Sequence, residues 1–430
     1  VKQADLILQN ARILDPERGL DTVGDVVIRH GILETVGSRA PSPEECPDLE
    51  VMDAGGKWVV PAWVDMHVHL REPGEEYKET IETGTAAAVA GGYGAVACMP
   101  NTRPVNDTAA VTDFIRRRAR QEGYCRVYPV GAISKGLEGK ELAEFGELRQ
   151  AGAVAVSDDG RPVMDSLLMR RALEYAQAFD LVVISHAEDL HLAQGGLMNE
   201  GAVSTRLGLR GIPAASEAVM VARDLLLAEL TGGTLHIAHV STEASVRLIR
   251  DAKSRGVRVT CETAPHYFTL TDASLEGFDP VFKVNPPLRS QRDLEAVRQG
   301  LADGTIDVVA TDHAPHSSLE KDTEFEYAAN GMIGLESALP LVLQLIRDGI
   351  GGPLEILAKV TCNPARILGI PMGSLRAGTP AHLTLIDPEQ EYVIDAGTFH
   401  SKARNCPFHG WPVKGRAILT IVDGVVRYPF

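Results

Sequence analysis

Read for its apolar and polar positions, the chain divides into three parts. Residues 1–57 set short apolar runs between turns: LILQNARIL, a break at Asp15-Pro16, then DVVIRHGILETVG. Runs of this length bounded by turn residues predict strands, too few to close a core alone. Residues 373–430 have the same texture, in GSLRAGTPAHLTLIDPE, EYVI and GRAILTIVDGVVRYPF. Two β-rich ends that each lack a core predict one small β-sandwich domain built from both termini packed together.

Residues 58–372 alternate β-branched runs with helical patterns. The runs VVPAWVDMHVHL, GAVACMPN, RVYPVGAI, GAVAVSDDG, DLVVISHAED, LHIAHVST, VRVTCETAP and IDVVATDHAP make eight strands in sequence. Amphipathic stretches with helical spacing lie between them, among them 111–122, 167–178, 216–229 and 242–255. Strict alternation implies parallel pairing, and eight units predict a closed (β/α)8 TIM barrel. An open doubly wound sheet is the alternative, but no glycine-rich dinucleotide fingerprint follows the first strand.

In such a barrel the chemistry belongs at the C-terminal ends of the strands. Those ends carry His67 and His69 on the first run, Asp158-Asp159 on the fourth, His186 on the fifth, His239 on the sixth and Asp312 on the eighth. Period-two alternation turns His67 and His69 to one side, where two neutral imidazoles converge as divalent metals prefer, and Arg71 continues the alternation. A lone HxH is a weak signal. Each residue alone also reads as a strand-end cap, a turn former or a helix N-cap; the matched placement of the whole set does not.

Six donors exceed one tetrahedral zinc and suit two metals sharing a carboxylate, the arrangement that activates water near neutral pH. Asp159 is the expected bridge, because Gly160 after it allows close approach, and Asp158 then points away towards neighbouring backbone. Asp312 is placed to touch a metal and the substrate, which suits a proton shuttle. His236, at odd separation from His239, is expected to face the helix layer, and His313 to be structural.

Charge and cysteine usage narrow the partners. A formal net charge of −16 argues against nucleic acid or an anionic membrane surface, though a local arginine still admits a small anionic substrate. No apolar run reaches membrane-spanning length, and Lys2 and Asp5 interrupt the N-terminal apolar stretch. The six cysteines show no CxxC spacing and read as reduced thiols of a cytoplasmic protein.

Taken together, DMHVHLREPG (65–74), MPNTRP (99–104), SDDG (157–160), SHAED (185–189), HVST (239–242), KVNPPLR (283–289) and ATDHAPH (310–316) resemble the dihydroorotases of the bacterial single-chain type, in the amidohydrolase superfamily. The resemblance covers nearly the whole chain. It implies that His67, His69 and Asp312 bind a first metal, that His186 and His239 bind a second, and that Asp159 bridges them where many relatives use a carboxylated lysine. It further implies that Arg71, Asn101 and His316 clamp a substrate carboxylate and that Asn285 contacts the ring. Two zinc ions per subunit are expected, with manganese or cobalt also compatible with mixed N/O donors. A homodimer is implied, as is a conceivable aspartate transcarbamoylase partner.

The implied activity interconverts dihydroorotate and N-carbamoyl-L-aspartate, a step of pyrimidine biosynthesis. The rival activities are a hydantoinase or allantoinase on the same barrel, and a non-catalytic subunit that scaffolds aspartate transcarbamoylase. Ala187, Tyr267 and His382 depart from common family residues, but none is an expected ligand. Residues 317–334, polar with glycines near the end, read as a lid over the substrate or a solvated insertion.

Overall fold

The computed structural model describes residues 3–40 and 46–430; Lys2 lies outside them. The chain opens with strands β1 (Leu6–Asp15), β2 (Leu20–Arg29), β3 (Ile32–Val36), β4 (Glu50–Asp53) and β5 (Trp58–Pro61). It then lays down β6 (Trp63–Val68), β7 (Tyr93–Cys98), β8 (Arg126–Gly131), β9 (Ala155–Ser157) and β10 (Val182–Ser185). After a small pair, β11 (Met198–Asn199) and β12 (Gly211–Ile212), come β13 (Leu235–Ile237), β14 (Val259–Thr263) and β15 (Val308–Val309). Strands β16 (Leu383–Val393), β17 (Pro412–Val422) and β18 (Val425–Tyr428) end the chain.

The two termini share one sheet, in the order β18-β17-β16-β5-β1-β2-β3 with β4 beside β1. Apolar residues of both ends, Leu8, Ile13, Val26, Leu383, Leu385 and Ile421 among them, bury one core. The halves of the expected sandwich are thus two parts of a continuous sheet, in which Leu33 N of β3 donates to Thr379 O, just ahead of β16, at 2.9 Å. Asp15, wholly buried, accepts from Leu375 N at 2.7 Å and Ser374 Oγ at 2.9 Å, tying the N-terminal hairpin to the returning chain.

The run read from the sequence as one first barrel strand is two. Trp58–Pro61 pairs with β16 and β1 in the terminal sheet, so by strand pairing the barrel begins at Trp63 and not at Trp58. An apolar run has no mark for a change of sheet; its two parts are both buried, one by each core.

The second sheet is parallel, in the order β15-β14-β13-β10-β9-β8-β7-β6. It closes where His69 N donates to His313 O at 2.8 Å, beside a parallel bridge between Val68 and His313. Helices Ala109–Glu122, Ser166–Ala176, Ala215–Thr231 and Glu243–Ser254 occupy the four stretches that show helical spacing. Val64, Met66, Ala95, Ala97, Val130, Ile184 and Val308 fill the barrel interior, and Ala365 and Leu368 of helix Cys362–Leu368 join them from below.

Trp63 is fully buried and meets Tyr93 edge to face, with centroids 5.6 Å apart. Trp63→Ala should destabilise the chain by about 3–5 kcal/mol, since the cavity left between barrel and terminal sheet cannot collapse; urea unfolding measures this.

Candidate metal centre

At the C-terminal ends of the strands, six side chains converge. His67 Nε2 lies 3.2 Å from Asp159 Oδ1 and 3.5 Å from Asp312 Oδ1. His69 Nε2 lies 3.2 Å from Asp312 Oδ1 and 3.5 Å from Asp159 Oδ2. His186 Nδ1 and His239 Nε2 face each other at 2.7 Å, and lie 3.6 Å and 3.7 Å from Asp159 Oδ1. Asp159 therefore sits between the two histidine pairs. All six are buried, none more than 6% exposed.

Strict alternation does not explain how the first strand delivers both imidazoles. Val64 and Met66 pack in the barrel interior, yet His67, the next residue, also faces inwards to Asp159. The pairing register of β6 with β7 shifts between Asp65 and Val68, and this irregularity lets adjacent residues share a side. His239 and Asp312 follow their strands with φ of +34° and +49°. Such backbone is costly for residues with a Cβ and clusters where side chains must be aimed.

Glu262, within β14, was not singled out from the sequence. Its Oε1 lies 2.5 Å from His67 Nδ1 and its Oε2 lies 3.3 Å from His236 Nε2. Burial raises the Glu262 carboxyl, but His67 and His236 outweigh it and bring it down to about 2. An ionised carboxylate only accepts, so His67 donates through Nδ1; as a neutral ring it would present the Nε2 lone pair to the cluster. Asn101 Oδ1 does the same for His69, 2.9 Å from Nδ1. The only signal for Glu262 in the sequence is a carboxylate inside a β-branched run. Glu262→Gln should weaken metal binding about 10–100-fold with the fold retained, measured by competition with a chromophoric chelator.

His236 corrects an expectation. It does not enter the helix layer but turns to Glu262 and to Thr260 Oγ1, 2.8 Å away. Counting parity back from His239 fails because β13 ends at Ile237 and the backbone of His239 is left-handed. His313 faces Glu79 at 3.4 Å, away from the cluster. Asp158 turns aside to accept from Ile133 N at 2.8 Å and Ser134 N at 2.9 Å, and burial pushes its carboxyl up to about 6.

The donor set fits a cation. Two triads, His67–Asp159–His239 and His67–His69–Asp312, bring one ligand atom from each member within 4.8 Å of one another. His67 Nε2, Asp159 Oδ1 and His186 Nε2 are buried with no hydrogen-bond partner among the described residues. Burial lowers His186, but Asp159 and Glu188 outweigh it and push it up to about 10. Such a demand for positive charge among buried carboxylates is what a bound metal satisfies.

The remaining candidates differ in the contacts they make. Arg71 is buried; its Nε donates to Pro315 O at 3.2 Å, and no carboxylate among the described residues lies within ion-pair distance. Asn285 donates through Nδ2 to Glu188 Oε2 at 3.1 Å. His316 places Nε2 2.8 Å from Asn330 O, so it packs against 317–334. That segment is partly anchored: Phe325, Ala328, Met332 and Ile333 are buried, while Leu319 and Tyr327 are exposed. Lys321 Nζ donates to Pro280 O, Lys283 O and Ala329 O within 3.0 Å, and Lys283 Nζ donates to Phe325 O and Glu326 O at 2.8 Å. The six cysteines are free and buried, and no helix among the described residues is long and apolar enough to cross a membrane.

Residues 56–245 match the family model described as Dihydro-orotase-like. A protein named dihydroorotase from Syntrophobacter fumaroxidans is 65% identical over 98% of this chain and 96% of its own length. Another of that name, from Syntrophus aciditrophicus, is 54% identical over 98% and 99%. Among solved structures, the L-hydantoinase (dihydropyrimidinase) of Arthrobacter aurescens superposes with a TM-score of 0.87 at 27% identity, covering 98% of this chain and 96% of that one. A dihydropyrimidinase from Brevibacillus agri, at 22% identity and a TM-score of 0.83 over 98% and 94%, shares the fold. With more than half of its residues identical to dihydroorotases along nearly its full length, on a barrel common to the hydantoinases, the chain belongs to the dihydroorotase family of cyclic amide hydrolases.

Proposed function

We propose that the chain is a zinc-dependent dihydroorotase that reversibly hydrolyses (S)-dihydroorotate to N-carbamoyl-L-aspartate in pyrimidine biosynthesis. The observation that carries the reading is a buried cluster of four imidazoles and two carboxylates beside a buried guanidinium, Arg71, with no carboxylate partner among the described residues. His67, His69 and Asp312 would hold one ion, His186 and His239 a second, with Asp159 between them. Bound there, the ions would supply an activated water near neutral pH and polarise the ring carbonyl.

The chain's own residues supply the rest. Asp312 takes a proton from the attacking water and hands it to the departing ring nitrogen. Arg71, with a planar donor fork, holds the substrate carboxylate together with the Asn101 amide and His316, and Asn285 contacts the ring. The same groups run ring closure by microscopic reversibility.

The hydantoinase-like barrel supports one rival, a preference for hydantoin or allantoin. Initial rates of the purified chain on dihydroorotate, hydantoin and allantoin decide between them. A preference of two orders of magnitude for dihydroorotate is expected; the opposite preference sinks the proposal. Silence on all three with metal bound, persisting after aspartate transcarbamoylase is added, would instead favour a non-catalytic subunit. Arg71→Met should raise KM for dihydroorotate about 10–100-fold, because one charge-assisted contact is worth about 1.5–3 kcal/mol. An unchanged KM would remove Arg71 from the clamp.

A further inference from the structure

We propose a second ligand site, at the base of the barrel, that binds the phosphate of a small phosphorylated molecule. A cavity of about 590 Å³ opens there, on the opposite side from the metal cluster. Its walls include Arg126, which begins β8, Val154, just before β9, and Ile370, just beyond the helix that plugs the barrel from below. The terminal sheet closes it through the β17–β18 hairpin, with Asp423 and Arg427. The volume is that of sites for small organic ligands.

Its charge is the reverse of the chain's. The protein carries 58 acidic against 42 basic residues, yet this cavity is lined by Arg116, Arg120, Arg126 and Arg427 with Asp423 as the one carboxylate. That carboxylate is already spent, since Arg126 binds it at 2.6 Å. Arg116 gives one terminal nitrogen to Ala151 O at 2.6 Å. Arg120 and Arg427 have no carboxylate within ion-pair distance among the described residues, and Arg427 Nε is buried without an acceptor.

Arg116, Arg120 and Arg427 gather positive charge around one cavity with no carboxylate at ion-pair distance among the described residues, and a buried donor without an acceptor is unfavourable. A phosphate relieves both, because its oxygens accept from several arginines at once in the fork geometry they present. An adjoining chamber of about 560 Å³ shares Arg126, Ile370 and Pro371, which leaves room for the rest of an ester.

The test is calorimetric titration of the metal-loaded chain, at constant ionic strength, with inorganic phosphate, ribose 5-phosphate and adenosine 5′-monophosphate, and with chloride as control. At least one of the three phosphates is expected to bind one per chain in the submillimolar range. Arg120→Gln and Arg427→Gln should each weaken it tenfold or more while the rate of ring opening stays unchanged. Arg120 is exposed on its helix, so that variant keeps the test open if Arg427→Gln fails to fold. Tighter binding of an ester than of inorganic phosphate identifies the ester as the ligand, and equal binding identifies free phosphate. Binding no tighter than chloride, or unaltered in both variants, overturns the proposal; the latter would place the anion at the metal centre.

Discussion

Asp312→Asn should lower turnover of dihydroorotate by about 10²–10⁴-fold, the range for losing a positioned general acid–base group. The carboxylate lies 3.2 Å from His69 Nε2 and 3.5 Å from His67 Nε2, on backbone held at φ +49° at the end of the last barrel strand. Burial acts to raise its carboxyl, but His67 and His69 overrule that and keep it well below the usual carboxylate range. It is therefore ionised, the form that can bind a metal or receive a proton. Because Asp312 is also a proposed ligand, metal content must be measured beside the rate. An inactive variant that retains its metal supports the shuttle; full activity in Asp312→Ala would eliminate it. A variant that loses both metal and activity assigns Asp312 to ligation, and the shuttle would have to be sought elsewhere.

Removal of the metal should abolish ring opening, and return of zinc should restore it. The same treatment should lower stability, which can be read without any substrate. An ion that binds only the folded chain stabilises it by about 4 kcal/mol when present at a thousand times its dissociation constant. Without it, His67 Nε2, Asp159 Oδ1 and His186 Nε2 are buried and unpartnered among the described residues, and carboxylates crowd together around them. Unfolding of the chelated and zinc-restored protein, with metal analysis at each step, checks both effects. Activity that survives in protein shown to be metal-free would refute the metal-dependent mechanism.

The barrel was legible because its signal is local and repeated. Eight β-branched runs separated by helical spacing leave few alternatives, and the shared texture of the two ends marks them as partners. The candidate site was legible for a related reason. Histidines and aspartates that stand just past apolar runs are placed together by any parallel barrel, whatever its details. Glu262 escaped because it lies inside a strand rather than past its end, and its meaning rests on a contact 195 residues away with His67. Apart from Arg71, which continues the alternation of His67 and His69, the substrate-side candidates were legible only through family motifs. His316 is packed against a strap held by Lys321 and Lys283, which composition had left open between a lid and a solvated loop.

What the sequence by itself determined was the architecture and the end of the barrel at which the candidate metal ligands gather, since both follow from hydrophobic period and the order of elements. What only the tertiary structure decided was which neighbouring residues share a side. Met66 and His67 both face inwards at the register shift of β6, and His236 faces Glu262 although it stands at odd separation from His239. A bulge or a left-handed residue is held by contacts across strands, and counting along one strand cannot register a constraint supplied by another.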